Sequence, residues 1–422
     1  MSDEAAFLRA IAAESDVDLP RLVYADWLEE QGETERMIRA EFIRIQCALE
    51  TMLPSNEQFR TLQEREQVLF RELWLTLLEP VRSSFDLSES QFRPPQRPRG
   101  GTFFSQLFGM TLRDRLLEQL HGSGSLEINL HPWHEDPQGP IFPSGLRSIA
   151  IRRGFIDDLI VCSDTKPEVG KWDRYFQEHF LHGLTIRDGP LANLWASLPI
   201  IPQLRKLGFI FDSGSGSWDA VLNLFTFSEP LLLKELELFQ APIDRESLQQ
   251  LVDSWIMEQL TTLRWSPRDP DEVLVLAESG KVQNLQTLDL SVGMCGSLGL
   301  HHLAKSSRFQ KLETLDLSSS SIGDTGVRSL IRSQHLGSLR RLDLQENRLT
   351  DRALRDLSTS FSEQLRILNV TGNRELTDAG ASALASSSHL DSLELLVVNE
   401  ALKRTDGGLA LRERFGSRVV FE

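Results

Sequence analysis

The sequence predicts an α/β solenoid, with a parallel sheet of short strands on the concave side and helices on the convex side, preceded by a small all-α domain. Three observations predict it. Segments starting at Leu285 (LQTLDLSVGMC), Leu312 (LETLDLSSSSI) and Leu339 (LRRLDLQENRL) share the wording LxxLxLxxNxL, and LRILNVTGN from Leu365 follows it. Columns recur every 27 residues: Leu303, Leu330, Leu357 and Leu384 form one, and Cys295, Ile322, Leu349 and Leu376 another. The first 80 residues lack this period and carry helical patterning instead.

Taken in chain order, residues 1–80 read as three or four helices. EAAFLRAIAAE is followed by DVDLPRLVYADWLEEQG, where Pro20 suits a first helical turn and Gly32 a helix end. RAEFIRIQCALE gives the next, and Glu57 to Leu78 continues as a helix with Phe59, Leu62, Leu69, Leu73 and Leu77 on its apolar face. Residues 81–145 change to linker-like composition around FRPPQRPRGG and HPWHEDPQGPIFPSG, with one helix expected from Phe103. Residues 146–422 form the repeat domain. Irregular units start at Leu146, Leu181, Leu204, Leu233 and Leu260, regular ones fill 285–398, and residues 399–422 read as a terminal helix and strand that cap the open core.

Within each regular unit, LxxLxL sets leucines on one face of a strand and polar residues on the other. The column Gly293, Ser320, Asn347, Asn373 can turn the chain and hydrogen-bond its backbone. Ser297, Asp324, Asp351 and Asp378 are expected to accept from the orphan amides of the helix that follows each. Gly299, Gly326, Ala353 and Gly380 are small enough to let that helix approach the strand layer. A unit of this kind cannot bury its apolar face alone, so neighbours must stack.

This wording resembles the leucine-rich repeats of the ribonuclease-inhibitor-like class, specifically over 285–398. The N-terminal segment, over residues 4–50, is similar to the repeat-companion domain of planctomycete bacteria, a short module found ahead of repeat arrays. Arg21-Leu22, Tyr24-Ala25-Asp26-Trp27-Leu28 and Arg39-Ala40-Glu41-Phe42-Ile43 carry that resemblance, and Phe155 in RRGFIDDLIV resembles linker segments of the same family. The resemblance implies no enzymatic activity.

The formal net charge of -16 argues against a nucleic-acid or anionic-membrane partner, which a surface of the same sign would repel. Met1 to Phe7 carries acid where a secretory leader carries base, and no stretch approaches the roughly 20 apolar residues of a membrane span. A cytoplasmic location is expected. Cys47, Cys162 and Cys295 stand apart with no CxxC spacing, so neither a disulfide framework nor a zinc knuckle is expected.

Catalytic chemistry finds little support. His131, His134, Glu135 and Asp136 offer four ligands or acid–base groups, yet Pro132 and Pro137 preclude the helix on which such ligands converge. The GSGS run at Gly214 lacks the GK[ST] of a phosphate loop, Cys295 sits in an apolar column, and His301-His302 opens a repeat helix, one ring solvent-facing and one packing. Nothing assembles a nucleophile, a base and an oxyanion donor, so neither enzyme activity nor a cofactor is expected.

The polar strand face is the better candidate. Its column reads Gly208, Glu237, Arg264, Asp289, Asp316, Asp343 and Asn369, flanked by Glu235, Thr287 and Arg341. Strands lie about 4.8 Å apart, so three adjacent aspartates repel one another. They form an acidic strip awaiting a protein or peptide with a basic patch, or stand solvated or paired with Arg341. A non-catalytic scaffold for a protein or peptide is therefore the leading expectation. Self-association through an uncovered sheet edge and a metal-dependent activity at His131 and His134 are the alternatives.

Overall fold

The computed structural model describes residues 3–13, 17–52, 56, 58–85, 126–129, 146–152, 155–162, 170–172, 175, 181–187, 201, 204–211, 218–222, 224, 231–239, 241, 243–360 and 364–422. The chain divides into two compact units, residues 1–209 with 219–232, and residues 210–218 with 233–422.

The first unit begins with four helices, α1 (Asp3–Ala13), α2 (Leu19–Glu30), α3 (Thr34–Thr51) and α4 (Phe59–Phe85). Pro20 occupies the first turn of α2, and Gly32 stops the chain beyond it with φ of 72°, a conformation that costs glycine little. Helix α3 is apolar on two sides. Ala40, Ile43 and Cys47 join Ile11, Tyr24, Ala25 and Leu28 in one core, while Phe42 stacks on Phe70 of α4 at 6.1 Å. α4 runs through Pro80 to Phe85, beyond the expected end at Leu78, because Leu77, Leu78, Val81 and Ser84 keep its buried face continuous.

The strands of this unit follow in order, β1 (Leu126–Asn129), β2 (Leu146–Arg152), β3 (Phe155–Cys162), β4 (Gly183–Arg187) and β5 (Lys206–Ile210, its last residue in the second unit). β1, β2 and β3 are antiparallel, and β3 to β4 is parallel, so the irregular end is a meander that turns into repeats. Phe155 opens β3 against the helices. Its ring lies 5.8 Å from that of Tyr24, and the guanidinium groups of Arg21 and Arg39 sit 5.9 and 5.7 Å from it, within cation–π range. Short α5 (Asp219–Leu222) closes the unit.

The second unit alternates strands with helices. Its strands are β6 (Glu235–Phe239), β7 (Thr262–Trp265), β8 (Thr287–Asp289), β9 (Thr314–Asp316), β10 (Arg341–Asp343), β11 (Ile367–Asn369), β12 (Leu395–Val398) and β13 (Val419–Phe421), each parallel to the next. Between them lie α6 (Arg245–Val252), α7 (Trp255–Gln259), α8 (Pro270–Glu278), α9 (Gly296–Lys305), α10 (Asp324–Ile331), α11 (Asp351–Ser360), α12 (Asp378–Ala385) and α13 (Asp406–Phe415). This is the leucine-rich-repeat fold. Leu288, Leu315, Leu342, Leu368 and Leu396 stack one above another in register, all fully buried or nearly so. Leu402, Leu411, Phe415 and Val419 are buried at the C-terminal end.

Hydrogen-bond ladders hold neighbouring units in register. Asn347 Oδ1 accepts from the Ser320 and Ile322 amides of the preceding unit, and its Nδ2 donates to the Leu317 and Gln345 carbonyls. Asn373 repeats this on the Asn347 and Leu349 amides. The column becomes glycine at Gly293, where a Cβ would lie 2.5 Å from Pro267 Cδ.

Two expectations about the helix starts need correction. Asp324, Asp351 and Asp378 lie inside the first turn of their own helices and reach forward into the next unit. Asp324 accepts from the Thr350 amide and hydroxyl, Asp351 from those of Thr377, and Asp378 from the Gly407 amide. Ser297 does the same for Gly323. The small-residue column faces the neighbouring helix as much as the strand layer: a Cβ at Gly380 would lie 2.5 Å from Asp351 Oδ1, and one at Gly326 3.1 Å from Ser297 Cα.

Candidate protein interface

The strand register gathers the expected site residues into two rows on the second unit. One row reads Glu235, Thr262, Thr287, Thr314, Arg341, Ile367 and Leu395; the other reads Glu237, Arg264, Asp289, Asp316, Asp343, Asn369 and Val397. Gly208 is on β5 of the first unit, where a Cβ would crowd Thr185 Oγ1 at 2.7 Å.

The second row is recessed. Glu237, Asp316, Asp343 and Asn369 are buried, with exposures of 2%, 8%, 3% and 1%, whereas Glu235, Arg264, Thr287, Asp289 and Arg341 are half-buried. Backbone chemistry explains the recession. Each residue at the end of a strand accepts from the amide two positions on, Asp289 from Ser291 at 2.9 Å, Asp316 from Ser318 at 2.8 Å and Asp343 from Gln345 at 2.8 Å. Asn369 does likewise with Thr371 and donates to Asp343 Oδ2 at 2.9 Å. These are turn-closing bonds of the Asx type, and they give the stacked carboxylates donors in place of water.

Arg264 forms an ion pair with Glu237 at 2.9 Å and stands in register beside Asp289. Burial pushes the Asp289 carboxyl above the usual carboxylate range, and the neighbouring Asp316 adds to this while Arg264 opposes it. The acidic character that the face presents therefore rests on half-buried Glu235 more than on Asp289, whose charged form is disfavoured, or on buried Asp316 and Asp343.

Two features escaped the sequence reading, one on this face and one in the turn after β8 and the first turn of α9. Thr262 and Thr314 complete the first row, and they were visible as the same third position of LxxLxL. Val292, Met294 and Leu298, in the segment leading from β8 into α9, are exposed by 59%, 67% and 52%. Their 27-residue partners are Ser319 and Glu346, Ser321 and Arg348, and Thr325 and Arg352, so comparing columns marks them as apolar where the repeat is polar. Val292 also holds φ of 55°, a region that β-branched residues rarely occupy.

Cys295 is fully buried and its thiol is pushed up to about 12 by that burial. His301 and His302 are both half-buried, and His301 Nδ1 lies 3.1 Å from Ser329 Oγ. Among the described residues no group of three or more His, Cys, Asp or Glu could hold a metal ion, and no helix is long and apolar enough to cross a membrane. His131, His134 and the run at Gly214 lie outside the described residues, as does most of the 81–145 insertion.

Comparison with known proteins bears on the repeats. The family described as "Leucine Rich repeat" matches residues 310–330, 335–358 and 362–385. No curated protein matches the sequence. Among solved structures, the chain is similar to one from the Rad7 and Elc1 complex in yeast, at 15% identity and a TM-score of 0.35, over 61% of this chain and 67% of that one. It is also similar to an internalin from Listeria monocytogenes, at 16% identity and a TM-score of 0.32, over 64% and 90%.

Proposed function

We propose that the chain is a non-catalytic scaffold that binds a protein or peptide on the strand face of its second unit. The registered two-row face carries this reading, since leucine-rich repeats present side chains of successive strands as one extended surface. The rows mix acid, hydroxyl and guanidinium at Glu235, Thr287 and Arg341, and the turn that follows β8 adds exposed apolar groups at Val292 and Met294. That mixture suits a protein partner, whose interfaces pair apolar anchors with a polar rim. A basic patch on the partner would meet Glu235. Helices α1–α4 serve as a companion module of the repeat-associated kind, and the cytoplasm is the expected compartment.

The test begins with affinity purification of a partner from the native host. Thr287→Arg and Met294→Asp, which alter the face without touching a turn-closing bond, are expected to weaken that partner about ten-fold each, or ~1.4 kcal/mol. Undiminished affinity in both variants, with melting temperatures unchanged, sinks the reading.

A further inference from the structure

The helix side of the regular repeats carries a depression of about 450 Å³ between α9 and α10. Lys305, Arg328, Arg332, His301 and His335 line it, and no carboxylate does. On a chain of net charge -16, that is a local reversal of sign. The cationic column is also confined to these two units: residues 27 apart read Glu278, Lys305, Arg332, Thr359 and Ser386.

Two of the three basic side chains, Lys305 and Arg332, are not spent on neighbours. Arg328 pairs with Asp356 at 2.9 Å, but Lys305 and Arg332 are exposed and form no ion pair among the described residues. Two carbonyls at the end of α9, groups that would repel an anion, already have donors. Ala304 O accepts from Ser333 Oγ at 2.6 Å and Leu303 O from the Ser306 amide at 3.1 Å. At the wall the Ser329 hydroxyl donates to the Thr325 carbonyl at 3.2 Å, and its oxygen lies 3.1 Å from His301 Nδ1, so these two groups are already bonded to each other and to the backbone.

We propose that this depression is an anion site for a phosphate monoester, separate from the strand face. Charge and shape select that chemistry. A phosphate monoester carries about -1.5 to -2 at pH 7, matching the two cations without acid partners, while a carboxylate neutralises only one. The Arg332 guanidinium offers a planar fork for two phosphate oxygens and the Lys305 ammonium a point charge for the third. The volume exceeds that of the ion and leaves room for the group bearing it. A phosphorylated serine side chain and the free ion share this chemistry.

Calorimetry on the full chain tests it with three short peptides, identical but for phosphoserine, serine or glutamate at the centre, and with inorganic phosphate. The phosphoserine peptide is expected to bind, the serine peptide not to bind, and the glutamate peptide to bind at least about ten-fold more weakly. Arg332→Gln and Lys305→Gln should each cost about ten-fold, and more together, with a steep loss as salt rises. Inorganic phosphate should displace the phosphopeptide, and the ratio of the two affinities separates recognition of the ion from recognition of its carrier. An absence of phosphopeptide binding overturns the site. So does phosphopeptide binding by both variants as tight as by the native chain, with melting temperatures intact, or a glutamate peptide as tight as the phosphopeptide.

Discussion

At position 66 the chain buries a carboxyl on α4 whose partner is the Gln46 amide of α3, which donates to it at 2.9 Å. Burial raises Glu66 to about 7, and the Gln46 bond opposes the rise. A carboxyl with a raised folded pKa binds its proton more tightly when folded. Its stabilisation is therefore complete below the unfolded value of 4.5 and is lost as pH rises through about 7. The helical core should lose ~3 kcal/mol between pH 5 and pH 8, at ~1.4 kcal/mol for each pKa unit. Glu66→Gln keeps a neutral acceptor for Gln46 and should remove that slope, raising stability at pH 8. Hydrogen exchange of the α3 amides at the two pH values measures it, and a wild-type chain with no slope would refute the assignment. Around Tyr24, Arg21 and Arg39, the residues that carried the family resemblance form the seat for Phe155, so packing explains that motif without chemistry.

Single elements here are short, with strands of three residues in most regular units, and each is held chiefly by bonds to its neighbours. Asp351 supplies one such link through the Thr377 amide and hydroxyl, at 2.8 and 2.6 Å. Asp351→Ala removes both and should cost ~1 kcal/mol, the magnitude of a lost helix cap. Asp351→Asn retains an acceptor for the amide and should recover about half of that cost. Urea titration distinguishes them, and equal stability of all three proteins would show the link to be idle. The helix starts were legible as a 27-residue column, but its direction was not, because an aspartate on a first turn has two candidate sets of amides and only stacking chooses between them. The serine column was equally visible yet unread. Ser279, Ser306, Ser333 and Ser387 each donate to the helix-end carbonyl of the preceding unit, at 2.6 Å in every case.

For the molecule as a whole, the repeat wording was enough to give the fold class and the register of the second row from Glu237 to Asn369, because the 27-residue period is itself the stacking rule. What it could not show was burial along the second row. Asp289, Asp316 and Asp343 read alike as letters, and only the turn geometry after each strand draws their oxygens onto backbone amides. The antiparallel β1–β3 meander was hidden for another reason, since β1 falls within a segment of linker-like composition. A stacked array also has an end to protect. In the second unit that end is α13 and β13, with Leu411 fully buried and Phe415 nearly so. β13 is only three residues long, and Arg412 lies 5.1 Å from the Phe421 ring, the short and charged edge that discourages strand addition. Leu411→Asp places a carboxylate among those apolar groups and should lower the melting temperature by several degrees, at ~3 kcal/mol or more. With the apolar surface of β12 laid open, the variant should scatter light in a concentration-dependent way while the native chain stays monomeric. A native chain that associates to the same degree would instead favour self-association as what the repeats are for.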